Sequence, residues 1–100
     1  MTARRLHVPP ANPTAEPICT LDRETALARQ EPPDRFLDDA FDQKVTATGI
    51  EYRFHRTDSL WERAQIFIKE EALCCLFLAF DVEEREQTLV LAISALKRPD

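Results

Sequence analysis

The chain has 100 residues, 44% of them hydrophobic and 31% charged, with a net charge of −5 at neutral pH. That balance suits one small globular domain and argues against a nucleic-acid surface, which draws on a basic patch. No run of about 20 apolar residues exists to form a membrane-spanning helix, so no membrane partner is expected.

In chain order, Pro9, Pro10, Pro13 and Pro17 come first. They disfavour helix and central strand alike, so residues 1–17 read as a flexible leader. Arg4 and Arg5 have no apolar stretch behind them, so this segment does not read as a secretory signal. A single domain is predicted over 18–96, with 97–100 as a tail. Residues 21–31 favour a short helix with Asp22 as its N-cap. Pro32-Pro33 interrupts it. Phe36, Leu37, Ala40, Phe41 and Val45 then recur at helical spacing and predict a second helix over 34–45. Gly49, the single glycine, predicts a turn with positive φ.

Ile50, Tyr52 and Phe54 alternate with Glu51, Arg53 and His55, the pattern of a half-buried strand. Ser59 and Glu62 fit a capping box. A helix is predicted from about 60 to 74, with Leu60, Trp61, Ala64, Phe67, Ile68 and Cys75 on its apolar face. Trp61 and Phe67 read as core. Leu76, Leu78, Phe80 and Val82 then alternate with Phe77 and Ala79 as a strand. Glu83 to Gln87 reads as a charged turn, and Thr88 to Ser94 as a strand that forms an antiparallel hairpin with its predecessor. The fold class is α+β: a small two-layer sandwich, with helices on one face of a small sheet.

The chemistry concentrates on the adjacent thiols Cys74 and Cys75. With Cys19 they make three cysteines. That is a small, odd number for a secreted scaffold, and it suits free or metal-bound thiols in a reducing cytoplasm. Glu71 is three residues before Cys74 and four before Cys75, so on a helix it neighbours both. A carboxylate repels a thiolate, so Glu71 does not activate a nucleophilic cysteine. A cation reverses that repulsion, which favours a soft ion such as Zn(II), Cu(I) or Hg(II). Cys19 offers a third sulfur if the leader folds back, and His55 a nitrogen from its strand. His7 lies in the leader and is a weaker candidate. The spacing is neither a paired C-x-x-C zinc signature nor a thioredoxin-like site. The pair also fits a plain core, because free cysteine packs as a small hydrophobe. No Gly-rich phosphate loop, serine nucleophile motif or paired carboxylate site stands out, so a conventional enzyme is not expected.

The stretch Glu71-Ala-Leu-Cys74-Cys75-Leu-Phe77-Leu78-Ala-Phe80 resembles the E-x-x-C-C-P-F-L-x-F motif of short bacterial proteins of mostly unassigned function. Some of these are associated with regulators of the mercury-resistance type. Cys19-Thr20-Leu21 resembles the early C-[ST]-L of that group, Gly49 to Phe54 its G-x-x-[FY]-x-F strand, and Thr88 to Ile93 its closing strand. The likeness runs over about residues 18–95. It implies that Cys19, Glu71, Cys74 and Cys75 share one site. Leu76 stands where the group has proline, which leaves the turn after the cysteines less constrained.

Three functions follow as expectations. The first is a small cytoplasmic soft-metal or metalloid binding protein, in sensing or detoxification, with Cys74, Cys75, Cys19 and Glu71 as ligands. The second is a non-catalytic interaction or regulatory module whose cysteines are core. The third is a thiol redox sensor. A homodimer or a protein partner is compatible with all three.

Overall fold

The computed structural model describes residues 4–12, 28, 30–31 and 33–95, and the backbone alone at Pro33, Asp34 and Cys74. The predicted helix over 21–31 and Cys19 lie essentially outside the described residues. Five strands form one sheet: β1 (Arg4–Val8), β2 (Asp42–Val45), β3 (Gly49–His55), β4 (Leu78–Glu84) and β5 (Thr88–Ala95). Their order is β1-β4-β5-β3-β2, and every neighbouring pair is antiparallel. A short helix, α1 (Pro33–Phe36), runs into a 3-10 turn at Leu37–Asp39. The long helix, α2 (Leu60–Cys74), has 15 residues. The protein is a small α+β fold.

The cross-strand register aligns one apolar face. Leu6, Val82, Leu91 and Tyr52 stand side by side, as do Val8, Phe80, Ile93 and Ile50. Leu60, Trp61, Ala64, Phe67 and Ile68 from α2 join Phe54, Phe80, Val82, Leu89 and Leu91 from the strands in one buried cluster, with Phe36. The helix residues fall at the three- and four-residue spacings that stack one helical stripe. The other face of the sheet is polar. One row across it reads Arg5, Glu83, Val90, Arg53 and Asp42; the next reads His7, Asp81, Ala92, Glu51 and Lys44. Oppositely charged neighbours on adjacent strands recur in both rows, a favourable cross-strand arrangement.

Several expectations are corrected. Within the leader, Arg4–Val8 is strand β1, paired with β4 from Arg4 opposite Glu84 to Val8 opposite Phe80. It is an edge strand and ends before Pro9, so the prolines terminate it without interrupting its ladder. The helix over 34–45 is not continuous. After Asp39 the backbone turns extended at Ala40 (φ −68°, ψ 134°). Of the five stripe residues only Phe36 is fully buried; Phe41 is 49% and Val45 76% exposed. Phe36 stacks on Phe67 at 4.8 Å and lies 5.0 Å from Phe54, so the stripe is anchored at one end only.

Gly49 has no positive φ. Its role is close approach. A Cβ there would collide with the Ile93 carbonyl oxygen and lie 2.8 Å from the Ser94 Cα. The capping box is not formed. Ser59 is in the helical region (φ −94°, ψ −8°) and its side chain makes no cap bond. A turn beginning at Thr57, whose carbonyl accepts from the Leu60 amide at 3.2 Å, holds Ser59 in that state. A capping serine instead needs extended backbone to turn its oxygen toward the first amides. Finally, Glu83 and Glu84 belong to strand β4, and Glu84 is only 6% exposed.

A candidate thiol site at the helix-to-strand junction

Helix α2 ends at Cys74, and Cys75 is its C-terminal cap residue. The Cys75 amide donates to the Glu71 carbonyl at 2.8 Å, and the Leu78 amide donates to the Cys75 carbonyl at 3.1 Å. These two bonds close the helix and turn the chain into β4. The turn forms with leucine at position 76, so it does not require the proline of the resembled motif.

Cys75 extends the apolar stripe of α2 by two turns beyond Ile68, and it is 2% exposed. Its sulfur is in a disulfide. Glu71, one helical turn earlier, places Oε1 3.4 Å from the Cys75 Sγ. A disulfide sulfur carries no proton, so this is a contact in the oxidised state; a reduced thiol at the same place can donate to the carboxylate. The helix thus brings Glu71 and Cys75 together, as the spacing implied. Leu73 and Leu76 on either side are 75% and 39% exposed, giving the junction an apolar rim.

Two anchors bring the N-terminal half of the chain to this helix, and neither was read in the sequence. The Asn12 amide donates to the Leu76 carbonyl at 2.9 Å. The Glu70 carboxylate accepts the amides of Gln30 and Glu31, each at 2.9 Å. Glu31 in turn pairs with Arg63 at 2.9 Å, and Asp39 reaches the same guanidinium at 3.2 Å. The Glu31 hydrogen bond raises the Arg63 pKa further above its ordinary value, against desolvation, with Asp39 adding to it. Arg63 and Glu70 form the flank of α2 that holds residues 30–31. The signal for this was only a carboxylate at 70 and a cation at 63, which is indistinguishable in sequence from ordinary helix surface.

The histidines lie elsewhere. His55 is opposite Thr88 at one end of β5, whereas Leu78 is opposite Ala95 at the other. Those ends are roughly 23 Å apart at the strand rise. His55 stacks on Phe41 with ring centroids 4.3 Å apart. It is therefore not a neighbour of Cys75. His7 pairs with Asp81 through Nδ1 at 2.7 Å on the polar face of the sheet. Among the described residues no group of three or more His, Cys, Asp and Glu side chains gathers to hold a metal ion. Comparison with family models, curated proteins and solved structures gave no match.

Proposed function

We propose that this chain is a small cytoplasmic protein that binds a soft metal or metalloid ion through thiolates, in sensing or detoxification. Cys74 and Cys75 supply two sulfurs and Cys19 a third, with Glu71 as a fourth ligand or as a hydrogen-bond partner to them. The observation that carries this reading is the buried Cys75 sulfur, bonded to a second sulfur, with the Glu71 carboxylate 3.4 Å away. Two sulfurs within bonding distance become, on reduction, two thiols positioned for one ion. Cys19 is seven positions after Asn12, and Asn12 is tied to Leu76. Seven residues reach at most about 25 Å, so the chain length allows Cys19 to approach the pair. The fold is read as two layers, with α2 on one face of the sheet and β4–β5 as a hairpin. The shared apolar cluster supports this.

Metal loading requires the reduced form. Two equivalents of a small thiol open the disulfide, giving two cysteine thiols and the disulfide of the reductant. The ion then displaces the thiol protons. A reducing cytoplasm favours that form. The test is native mass spectrometry of the anaerobically reduced protein with Zn(II), Cu(I) or Hg(II) and competing glutathione. A 1:1 adduct that survives glutathione and is lost in Cys75→Ser is expected. No adduct with any of the three ions would overturn the reading.

The disulfide itself favours a second reading, a thiol redox sensor. It predicts reversible oxidation at a potential within the cellular range and no retained metal. A redox titration with glutathione buffers separates the two.

A further inference from the structure

The Cys75 sulfur is held in a disulfide. The chain has three cysteines, so the partner is Cys74 or Cys19. Cys74 is the last residue of α2 and Cys75 its cap, and the peptide bond between them is trans. The Cys75 amide donates to the Glu71 carbonyl, four residues back, at 2.8 Å. The helical hydrogen-bond ladder therefore continues through that peptide unit. A trans peptide sets adjacent Cα atoms about 3.8 Å apart, whereas a disulfide spans about 4.4–6.8 Å between Cα atoms. A bond between the two neighbours closes a small strained ring and calls for a backbone unlike this helical one.

Two anchors point to Cys19 independently. The Asn12 amide is bonded to the Leu76 carbonyl. The amides of Gln30 and Glu31 are bonded to the Glu70 carboxylate. In sequence, Cys19 falls between Asn12 and Gln30, and Cys75 falls between Glu70 and Leu76. The two stretches are thus tied together in opposite order, with one cysteine inside each tied interval. Cys19 is seven positions from Asn12 and eleven from Gln30. Those lengths reach at most about 25 Å and about 40 Å. Glu70 is five residues before Cys75, about 8 Å of helix rise, so neither tether limits the pairing.

We propose that the disulfide joins Cys19 to Cys75 and leaves Cys74 as the one cysteine outside it. The bond forms when the two thiols lose two protons and two electrons to an oxidant such as glutathione disulfide, which becomes two molecules of glutathione. Through it, the stretch between the two anchors is joined covalently to the buried end of the α2 stripe, and that joint comes and goes with the redox state. The assignment holds whether or not the thiols take up a metal.

Disulfide mapping of the full chain tests this. The protein is equilibrated with excess glutathione disulfide, its remaining thiols are blocked with N-ethylmaleimide, and it is digested with trypsin without reductant. Cleavage after Arg5, Arg23, Lys69 and Arg85 puts Cys19 in peptide 6–23 and both Cys74 and Cys75 in peptide 70–85. The expected product is these two peptides linked, with fragmentation placing the link at Cys75 and the maleimide or a glutathione on Cys74. Cys74→Ser keeps the link, because that thiol takes no part in it. A peptide 70–85 that is unlinked and lighter by two hydrogens carries a bond between the neighbours and overturns the proposal. So does a link that fragmentation places at Cys74, or a wild-type digest with no linked peptides. The wild-type fragmentation decides the site without relying on the fold of any variant.

Discussion

Arg4 and Glu84 are 80 positions apart in sequence and meet in a two-pronged ion pair, Nε to Oε1 and Nη2 to Oε2, both at 2.9 Å. Glu84 is the one charged side chain among the described residues that is buried. Arg56 approaches the same carboxylate at 3.5 Å, and the Arg4 guanidinium lies 4.7 Å from the Trp61 ring centroid. Strand β1 is therefore fastened to the core by a charge, although its residues look like a polar tail.

Replacing Arg4 with alanine leaves a buried carboxylate with only the longer Arg56 contact. The expected loss is about 1–3 kcal/mol in chemical denaturation. For a chain of this size each kcal/mol lowers the melting temperature by about 4–8 °C. A loss under about 0.5 kcal/mol, the level of an ordinary surface pair, would contradict the anchoring role.

Gly49→Ala tests the close approach of β3 to β5. The added methyl group meets backbone atoms of Ile93 and Ser94, which cannot rotate aside as a side chain would. We expect destabilisation of about 2 kcal/mol or more. Ala92→Gly, on the same strand pair but without that contact, is expected to cost only about 0.5–1 kcal/mol through backbone entropy. Equal losses in thermal melts would show that crowding is not what glycine relieves.

Glu70→Ala removes the acceptor for two amides. Hydrogen exchange at Gln30 and Glu31 should accelerate, while amides in the middle of β5 keep their protection. Glu70→Gln should retain part of the protection, since its amide oxygen still accepts. Unchanged exchange in Glu70→Ala would show that these bonds do not hold the segment.

Glu83 carries a pH signature. Arg85 donates to it at 2.7 Å. That hydrogen bond foremost, then the Arg85 charge and more weakly Arg5, lowers the Glu83 pKa. Folding thus favours the ionised form. What the pair contributes is present above the ordinary glutamate value, about 4.3. It is lost as pH falls through the lowered native value. Because Arg85 is exposed and Glu83 partly so, the readout is titration rather than melting. The Glu83 carboxyl resonance should titrate below the ordinary glutamate value, and Arg85→Ala should return it to the ordinary range.

Periodicity made α2 legible to its last residue, because its buried stripe from Leu60 to Ile68 packs on a sheet that matches it. The alternation of Ile50, Tyr52 and Phe54, and of Leu89, Leu91 and Ile93, likewise survived folding unchanged. Two of the failures, at β1 and at Glu84, share one cause: charges and prolines were read as surface. Arg4 and Glu84 are charged and yet fasten strands together. Leu6 and Val8 alternate with Arg5 and His7, but five residues ahead of two prolines carry little signal. Phe36 to Val45 shows helical spacing over a segment that is helix, turn and strand in succession, since Phe36, Leu37 and Ala40 pack on the core while Phe41 and Val45 are exposed. At the thiol site, the helical spacing of Glu71 and Cys75 was readable. The anchors at Asn12 and Glu70 were not, because they are hydrogen bonds from backbone amides of distant segments.

The sheet order has a consequence for synthesis. Strand β5 is central, and β4 and β3 pair on either side of it, yet it is the last of the five to be made. Strand β1, the first to leave the ribosome, finds its neighbour β4 only after more than seventy further residues have been added. Such distant pairings pay their loop-closure entropy before any contact forms, so folding is slow by comparison with helical domains of equal length. Until β4 and β5 are made, the nascent chain therefore has no more of the sheet than the β2–β3 pair, with the apolar side of α2 uncovered. It depends on that interval being short, or on a chaperone to shield the helix until β5 arrives.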